Sequence, residues 1–220
     1  MLSVEMRRTS QAHFLQSNDW FCTVAIMRSV HHMRRDPVPE ELQLAQTLGA
    51  NIAHGVAQKD LVSYLAVRGI PHRVHHDTSI STLWEGLRRG NGFLVSYQEV
   101  SDGDIEGNGG RIWSERYLRP YDPYLDDGHD NLLFGLTENS RNVYLLDPGL
   151  NYQISGLPKG IRTIPLPVFE CRWIDSDTNQ LLRRSAIEIE LSPPKSRSWV
   201  WEILLKYFPH IRSTVSMPRK

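Results

Sequence analysis

The spacing of apolar residues predicts helices in the first part of the chain and mostly strands after it. Apolar positions recur with the period of a helix in residues 20–33, 40–48, 56–67 and 82–89. Apolar or alternating runs predict strands at residues 70–74, 92–97, 131–136, 143–146, 161–173 and 185–191. In the last run, Glu188 and Glu190 alternate with apolar residues and are expected to face outward. This order predicts an α+β fold, with a helical N-terminal half packed on a C-terminal antiparallel sheet.

Local signals set the ends of several elements. Asn18 or Asp19 is the predicted N-cap of the first helix, and Ser79 or Ser81 that of the fourth. Residues 70–74 are expected to form an edge strand. Residues 99–127 have no sustained periodicity and contain several glycine and Asp/Pro turns. We therefore expect a surface lid or insertion there, rather than a phosphate-binding loop.

The chain is predicted to divide into a domain at residues 1–192 and a tail at residues 193–220. Two prolines begin the tail, and its segment 199–208 is amphipathic with basic residues around it. We expect a helix packed on the domain. Docking of residues 199–212 on a membrane surface or on a partner protein is the less favoured alternative.

Composition narrows the classes of function. The chain has 220 residues, 40% of them apolar and 23% charged, which is typical of a soluble globular protein. The formal net charge is zero, so we expect no nucleic-acid partner. No apolar run has the length of a signal-peptide core or a membrane span, and we expect a cytoplasmic protein.

The cysteines and histidines do not have the spacing of a metal site. Cys22 and Cys171 lie far apart and are predicted to be free thiols, with Cys171 buried in a strand. His31 and His32, and the histidines of residues 72–76, have no carboxylate or thiol spaced to complete a ligand set. We expect solvated or core histidines, and no metal or cofactor.

Cys22 is the first candidate for chemistry, because it opens the first long predicted helix and follows Gln16 by six residues. A helix N-terminus stabilises a thiolate through its unpaired N–H groups and the helix dipole. An amide such as that of Gln16 can donate to the oxyanion that forms when a thiolate attacks a carbonyl. Taken alone, Cys22 is better explained as a buried core cysteine.

A predicted hairpin supplies two further polar residues. His129 stands at the entry of the strand at 131–136, and Asp147 at the exit of the strand at 143–146. In an antiparallel hairpin the start of one strand lies beside the end of the next, so the two side chains should be neighbours. A carboxylate beside an imidazole holds one tautomer and stabilises the charged form. Each residue alone would be an ordinary surface or turn residue.

In chain order, these four residues provide an oxyanion donor, a nucleophile, a base and an orienting acid. The pattern resembles papain-like cysteine peptidases. It is most similar to the family that processes bacteriocin leader peptides and to the related guanylyl-cyclase-domain-containing family. The resemblance covers about residues 14–149 and is carried by Gln16, Cys22, Ala25, Gly128-His129, Leu132-Leu133, Gly135, residues 143–146 and Asp147-Pro148.

The resemblance implies a papain-like fold and a cysteine peptidase or amidohydrolase that cleaves a peptide or amide bond, including one at a protein terminus. In that reaction Cys22 is the nucleophile and His129 the base. Asp147 orients His129, and Gln16 helps to hold the oxyanion. Two alternatives stay open: an acyltransferase of the transglutaminase type that uses the same acyl-enzyme, and a non-catalytic binding module. Guanylyl cyclase activity is not expected, because no paired metal-binding carboxylates accompany the pattern.

Two positions depart from the family pattern. Thr23 follows Cys22 where the family has a glycine that lets substrate approach the backbone. Asp130 follows His129 where the family has an aromatic or apolar residue. From the sequence, Asp130 either raises the pKa of the neighbouring imidazole or faces water.

Overall fold

A computed structural model of the chain describes residues 9–52, 55–98, 128–136, 142–154, 156–177 and 180–191. The predicted lid at residues 99–127 and the predicted tail at residues 193–220, with its docking segment 199–212, lie outside the described residues. No helix in the described part is long and apolar enough to cross a membrane.

Helices and strands follow the predicted order as far as residue 165, and the helix and two strands within residues 166–183 are elements that the sequence does not predict. The helices are α1 Cys22–Arg34, α2 Glu41–Thr47, α3 Gln58–Val67, α4 Ile80–Arg88 and α5 Leu166–Arg172. The strands are β1 His72–His75, β2 Asn91–Gln98, β3 Gly128–Leu136, β4 Asn142–Leu146, β5 Ile161–Pro165, β6 Ile174–Asp177, β7 Gln180–Arg183 and β8 Ala186–Glu190.

The described strands build an antiparallel sheet in the order β1-β8-β2-β3-β4-β5, and β6 and β7 form a separate pair. Helices with an antiparallel sheet confirm the α+β class. The edge position of β1 and the β3–β4 hairpin are also confirmed. The sheet draws β1 and β2 from the N-terminal half, so strands are less segregated than the sequence predicts.

Apolar side chains cover both faces of this sheet. On one face, α1, α2 and α3 pack over strand residues such as Leu94 and Leu132. On the other face, α4 and α5 pack over the strand residues next to these in sequence, including Phe93 and Leu133. Successive residues of a strand point to opposite faces, so a strand buried on both sides reads as a continuous apolar run. The sheet is therefore the middle of three layers.

The prediction of one strand over residues 161–173 is wrong. The strand ends at Pro165 and the chain turns into α5, with Pro167 in its first turn. Proline has no N–H for a strand ladder, but it fits the first turn of a helix, where the N–H would be unpaired. Cys171 consequently lies half-buried in a helix and not in a strand.

The predicted N-cap of the first helix is also wrong. Phe21 occupies that position and makes no side-chain cap, while the side chain of Asn18 accepts from the N–H of Trp20 one turn earlier. Ser79 does cap α4, by accepting from the N–H of Thr82.

Glu188 does not face solvent as its alternating pattern predicts. It is 5% exposed because α4 covers that face of β8. His75 lies 2.8 Å from one carboxylate oxygen, and Arg89 and Asn91 each donate to the other at 2.6 Å. The pKa of Glu188 is lowered, since these three partners outweigh the effect of burial.

Candidate active site

Cys22 is the first residue of α1 and is 9% exposed. The helix has no capping side chain at this end and no acidic residue in its first turn. Its first N–H groups have no partner within the helix, which is true of every helix start. The sulfur therefore lies at the positive end of the α1 dipole.

His129 and Asp147 lie side by side, at the beginning of β3 and just after the end of β4. The imidazole Nε2 is 2.8 Å from the carboxylate Oδ1 of Asp147. The antiparallel register explains the contact, because Leu132 pairs with Leu146 and the strand ends next to them meet. Both side chains are buried.

The thiol of Cys22 lies close enough to the ring of His129 to interact with it. Nε2 is engaged by Asp147, so Nδ1 is the nitrogen that serves the thiol. Burial alone would lower the pKa of His129, but the hydrogen bonds and charges of Asp147 and Cys22 raise it well above 6.5. The charged imidazolium is therefore the favoured form.

Asp147 is fully buried and is held from three sides. Its Oδ1 also accepts from the N–H of Gly149 at 2.8 Å, and Arg162 Nη2 lies 2.9 Å from Oδ2. The contact with Arg162 acts through charge rather than as a well-aligned hydrogen bond. Burial would raise the pKa of Asp147, but His129, Arg162 and Gly149 together lower it to about 2. Asp147 is thus an anion throughout the physiological range.

Gln16 is tied to the loop that carries Asp147. Its backbone N–H donates to the carbonyl of Pro148 at 3.0 Å. The side-chain Oε1 is buried and has no hydrogen-bond partner among the described residues. An amide oxygen can only accept a hydrogen bond, so the Nε2–H₂ group is the end of this side chain that can donate to a ligand.

The N-terminal segment that carries Ser10 and His13, here called the strap, crosses the loop that carries Asp147. His13 Nε2 donates to the backbone oxygen of Asp147 at 2.8 Å, and Ser10 Oγ donates to the carbonyl of Lys159 at 2.8 Å. The ring of His13 lies against Gly160, where a Cβ atom would come within 2.3 Å of it. Burial lowers the pKa of His13, so the neutral ring is favoured there.

Sequence reasoning missed Arg162. It is 3% exposed, lies in β5, and extends its guanidinium to Asp147 and, at 3.5 Å, to the hydroxyl of Tyr97. A cation in a strand between two isoleucines, Ile161 and Ile164, was the signal that could have drawn attention to it. Its partner could not be named, because the pairing depends on the register of β4 and β5.

Asn131 was missed as well. It is fully buried, two residues after His129 on the same face of β3, and pairs with Val95 across β2. Neither of its side-chain polar atoms has a hydrogen-bond partner among the described residues. Burying an amide without partners is costly, so Asn131 is an unusual residue for the interior of this sheet.

The two residues that depart from the family pattern contact each other. Thr23 Oγ1 donates to Asp130 Oδ2, and Ser96 Oγ donates to the other oxygen of the same carboxylate. Asp130 is thus neither against the imidazole nor simply in water. It lies on the face of the sheet that α1 covers, next to Leu132.

The described part of the chain contains no cluster of three histidine, cysteine or carboxylate side chains arranged to bind a metal ion. The buried His31 and the partly buried His75 instead have protein partners. His31 bonds the hydroxyl of Tyr64 at 2.7 Å, and His75 pairs with Glu188. The prediction of a core histidine is confirmed for His31, which is 4% exposed.

The backbone is similar to a crystal structure of a protein from Bacillus anthracis that is provisionally assigned as a C39-like peptidase. The TM-score is 0.54, the sequence identity is 14%, and the match covers 82% of this chain and 94% of the other. At this identity the likeness establishes the fold alone, and it agrees with the papain-like fold implied by the sequence. No family model and no curated protein matches the chain.

Proposed function

We propose that the chain is a thiol hydrolase of the cysteine-peptidase type that cleaves a peptide or amide bond. One observation carries the proposal: Cys22 starts a helix and interacts with His129, whose ring nitrogen is 2.8 Å from the carboxylate of Asp147. This arrangement supplies a nucleophile, a base and an orienting group. The assignment of the structural neighbour as a peptidase supports the same class.

Acylation begins with the proton of Cys22 on Nδ1 of His129, and the sulfur attacks the carbonyl carbon. A C–S bond forms and the carbonyl π electrons move to oxygen. The backbone N–H of Cys22 and the amide of Gln16 stabilise this oxyanion. As the tetrahedral intermediate collapses, His129 protonates the leaving amine and the C–N bond breaks. A thioester on Cys22 remains.

Deacylation repeats the cycle with water. His129 takes a proton from the water molecule, whose oxygen attacks the thioester carbonyl, and the sulfur leaves with the proton returned from His129. Asp147 stays ionised and holds the imidazole in the tautomer with hydrogen on Nε2. The negative charge of Asp147 and the positive charge of Arg162 offset each other, so the acid orients the base more than it adds net charge.

The experiment is to trap the acyl-enzyme. Activated peptide esters and amides are incubated with the protein, and the acylated residue is located by mass spectrometry of proteolytic fragments. We expect a thioester on Cys22, and a rate that falls by about 10²–10⁴-fold in His129→Ala. Cys171→Ser is the matched control, because it removes the other thiol.

Acylation that is equal at Cys22 and Cys171, or retained in His129→Ala, would favour the binding-module alternative. Adding a primary amine to the acyl-enzyme separates the remaining alternative. An amide product formed in preference to the free acid would identify an acyltransferase, since the thioester is common to both reactions.

A further inference from the structure

We propose that Thr23, Asp130 and Ser96 form a bridge that positions Cys22 against His129. The proposal rests on the proposed function, because it concerns the geometry of the same nucleophile. None of the three residues touches the reacting atoms in the mechanism above, so they are positioning residues.

The bridge joins three elements through one carboxylate. Thr23 in α1 donates to one oxygen of Asp130 in β3, and Ser96 in β2 donates to the other. Ser96 and Asp130 are directly opposite each other in the β2–β3 register, so their side chains lie on the same face of the sheet. Thr23 is 1% exposed, so its hydroxyl is shielded from water. A shielded hydroxyl without this partner would be left unsatisfied.

The bridge joins the same two segments of the chain as the contact between nucleophile and base. Thr23 is the neighbour of Cys22 along α1, and Asp130 is the neighbour of His129 along β3. The same two segments are therefore joined twice, once through sulfur and imidazole and once through hydroxyl and carboxylate. Two contacts one residue apart fix both the separation and the rotation of the first turn of α1 relative to β3. Reaction rates respond strongly to such geometry.

The start of α1 has no side-chain cap. Phe21 occupies the N-cap without making a side-chain bond, and the first turn contains no acidic residue. A helix usually satisfies its first N–H groups with a capping side chain or interacts with an anion there. Here Asp130 reaches the first turn from the sheet, which places the support on the element that also carries His129.

In this bridge the two oxygens of Asp130 act as hydrogen-bond acceptors. A geometric role explains the carboxylate, since its two oxygens each accept one hydroxyl proton. Asparagine at this position retains one acceptor and one donor, and a hydroxyl can serve either group. The geometric role therefore predicts that Asp130→Asn is tolerated and Asp130→Ala is not.

The test uses the rate at which a peptide chloromethylketone alkylates Cys22, separated into the inactivation rate constant kinact and the binding constant KI. We expect Thr23→Val, which removes the hydroxyl and keeps the shape, to lower kinact by about 10–100-fold with KI nearly unchanged. Thr23→Ser and Asp130→Asn should stay within about threefold of the wild type, because they keep the bridge. If Thr23 and Asp130 only stabilised the fold, kinact would not follow this pattern of loss in Thr23→Val and retention in the two conservative variants.

Thr78→Val is the matched control, because Thr78 is 3% exposed and lies outside the bridge, with no bonded partner for its hydroxyl among the described residues. Its kinact should be unchanged. The double variant Thr23→Val/Asp130→Ala should be no slower than Asp130→Ala alone, since both changes break one connection. Thermal unfolding is measured for every variant, to check that the assay temperature lies below its unfolding transition.

The proposal is overturned if the wild type is alkylated at Cys22 while Thr23→Val and Asp130→Ala keep its kinact, or if the two changes are additive. The proposed function would survive that result. If the wild-type thiol does not react, the proposed function fails before any variant is made. Should Thr23→Val not fold, Ser96→Ala tests the outer end of the bridge on β2. A wild-type kinact in a folded Ser96→Ala would equally overturn the proposal.

Discussion

At the scale of single residues, exposure and chemistry make opposite predictions for the two thiols. Cys22 is buried and Cys171 is half-buried, so simple access would favour alkylation of Cys171. Cys22 stands at a helix N-terminus beside His129, which can take the proton of the thiol, and the thiolate is the reactive species. We expect iodoacetamide at near-neutral pH to label Cys22 at least about tenfold faster. Peptide mapping after timed quenching measures both rates in one sample, and equal rates or a faster Cys171 would remove the catalytic role.

The pairing of Asp147 with Arg162 predicts strong coupling between two buried charges. Asp147→Asn removes the anion that faces the guanidinium of Arg162, and Arg162→Met removes one of the two cations that face the carboxylate. Each single change should destabilise the fold by about 3–5 kcal/mol, because a buried charge loses a partner. The double variant should lose much less than the sum, as measured by urea unfolding. Additive losses would mean that the two charges do not interact.

His129 makes folding stability depend on pH in a defined direction. Its pKa is raised in the folded protein, so it contributes stability that is fully present below pH 6.5 and is lost as pH rises through the higher folded value. We expect the gap in unfolding free energy between wild type and His129→Gln to be largest at about pH 6 and to narrow at alkaline pH. Urea titrations across this range measure it. A gap that widens with pH would show the opposite sign of shift.

At the scale of elements, the strap that carries His13 holds the loop of Asp147 in place. Gly160→Ala would put a Cβ against the ring of His13 and would also strain a backbone with φ of 76°. Gly156 is the matched control, because it has φ of 80° with nothing within 4 Å of its Cβ position. We expect Gly160→Ala to cost about 1–3 kcal/mol more than Gly156→Ala, since only it displaces the ring. Similar losses in urea unfolding for both variants would contradict the contact.

Elements with a strong local period could be predicted from the sequence. The segment that became α1 and the β3–β4 hairpin are regular enough to be recognised, and the hairpin alone brings His129 beside Asp147. The prediction of a strand at 161–173 is wrong because its apolar content suits a strand and a helix equally. Pro167 favours a helix only when it lies in the first turn of that helix.

The contacts that support the site were beyond the sequence. Arg162 meets Asp147 only through the register of β4 and β5, which no local pattern specifies. Asp130 meets Thr23 only because α1 packs across β3, and these residues are 107 positions apart in the chain. A one-dimensional pattern identifies residue types with suitable chemistry. The partners that hold them depend on how distant elements pack.

At the scale of the whole molecule, the last described strand lies inside the sheet. β8 pairs with β1 on one side and with β2 on the other, and its Ile187 and Ile189 enter the core under α1–α3. The two strands that it joins are close in sequence, but they do not pair with each other. The core over this part of the sheet is therefore incomplete without residues 186–190.

A truncation tests this dependence. A chain that ends at residue 177 keeps Gln16, Cys22, His129 and Asp147 but lacks β7 and β8. We expect it not to fold, because β1 and β2 would expose unpaired edges and apolar faces. Far-ultraviolet circular dichroism and a urea titration measure this, and Ile189→Ala in the full chain provides a milder comparison at about 2–5 kcal/mol. A cooperative unfolding transition in the truncated chain would contradict the prediction.

The central place of β8 also bears on when the thiol becomes reactive during synthesis. The ribosome has already joined Gly149 to the chain, and with it every residue of the proposed site, about 40 residues before it reaches Glu190. At about 5–20 residues per second, that interval lasts about 2–8 s. Until it ends, the sheet that holds His129 against Cys22 cannot close. A nascent chain would therefore carry an ordinary cysteine, and would gain its nucleophile only when nearly all of the described fold has been translated.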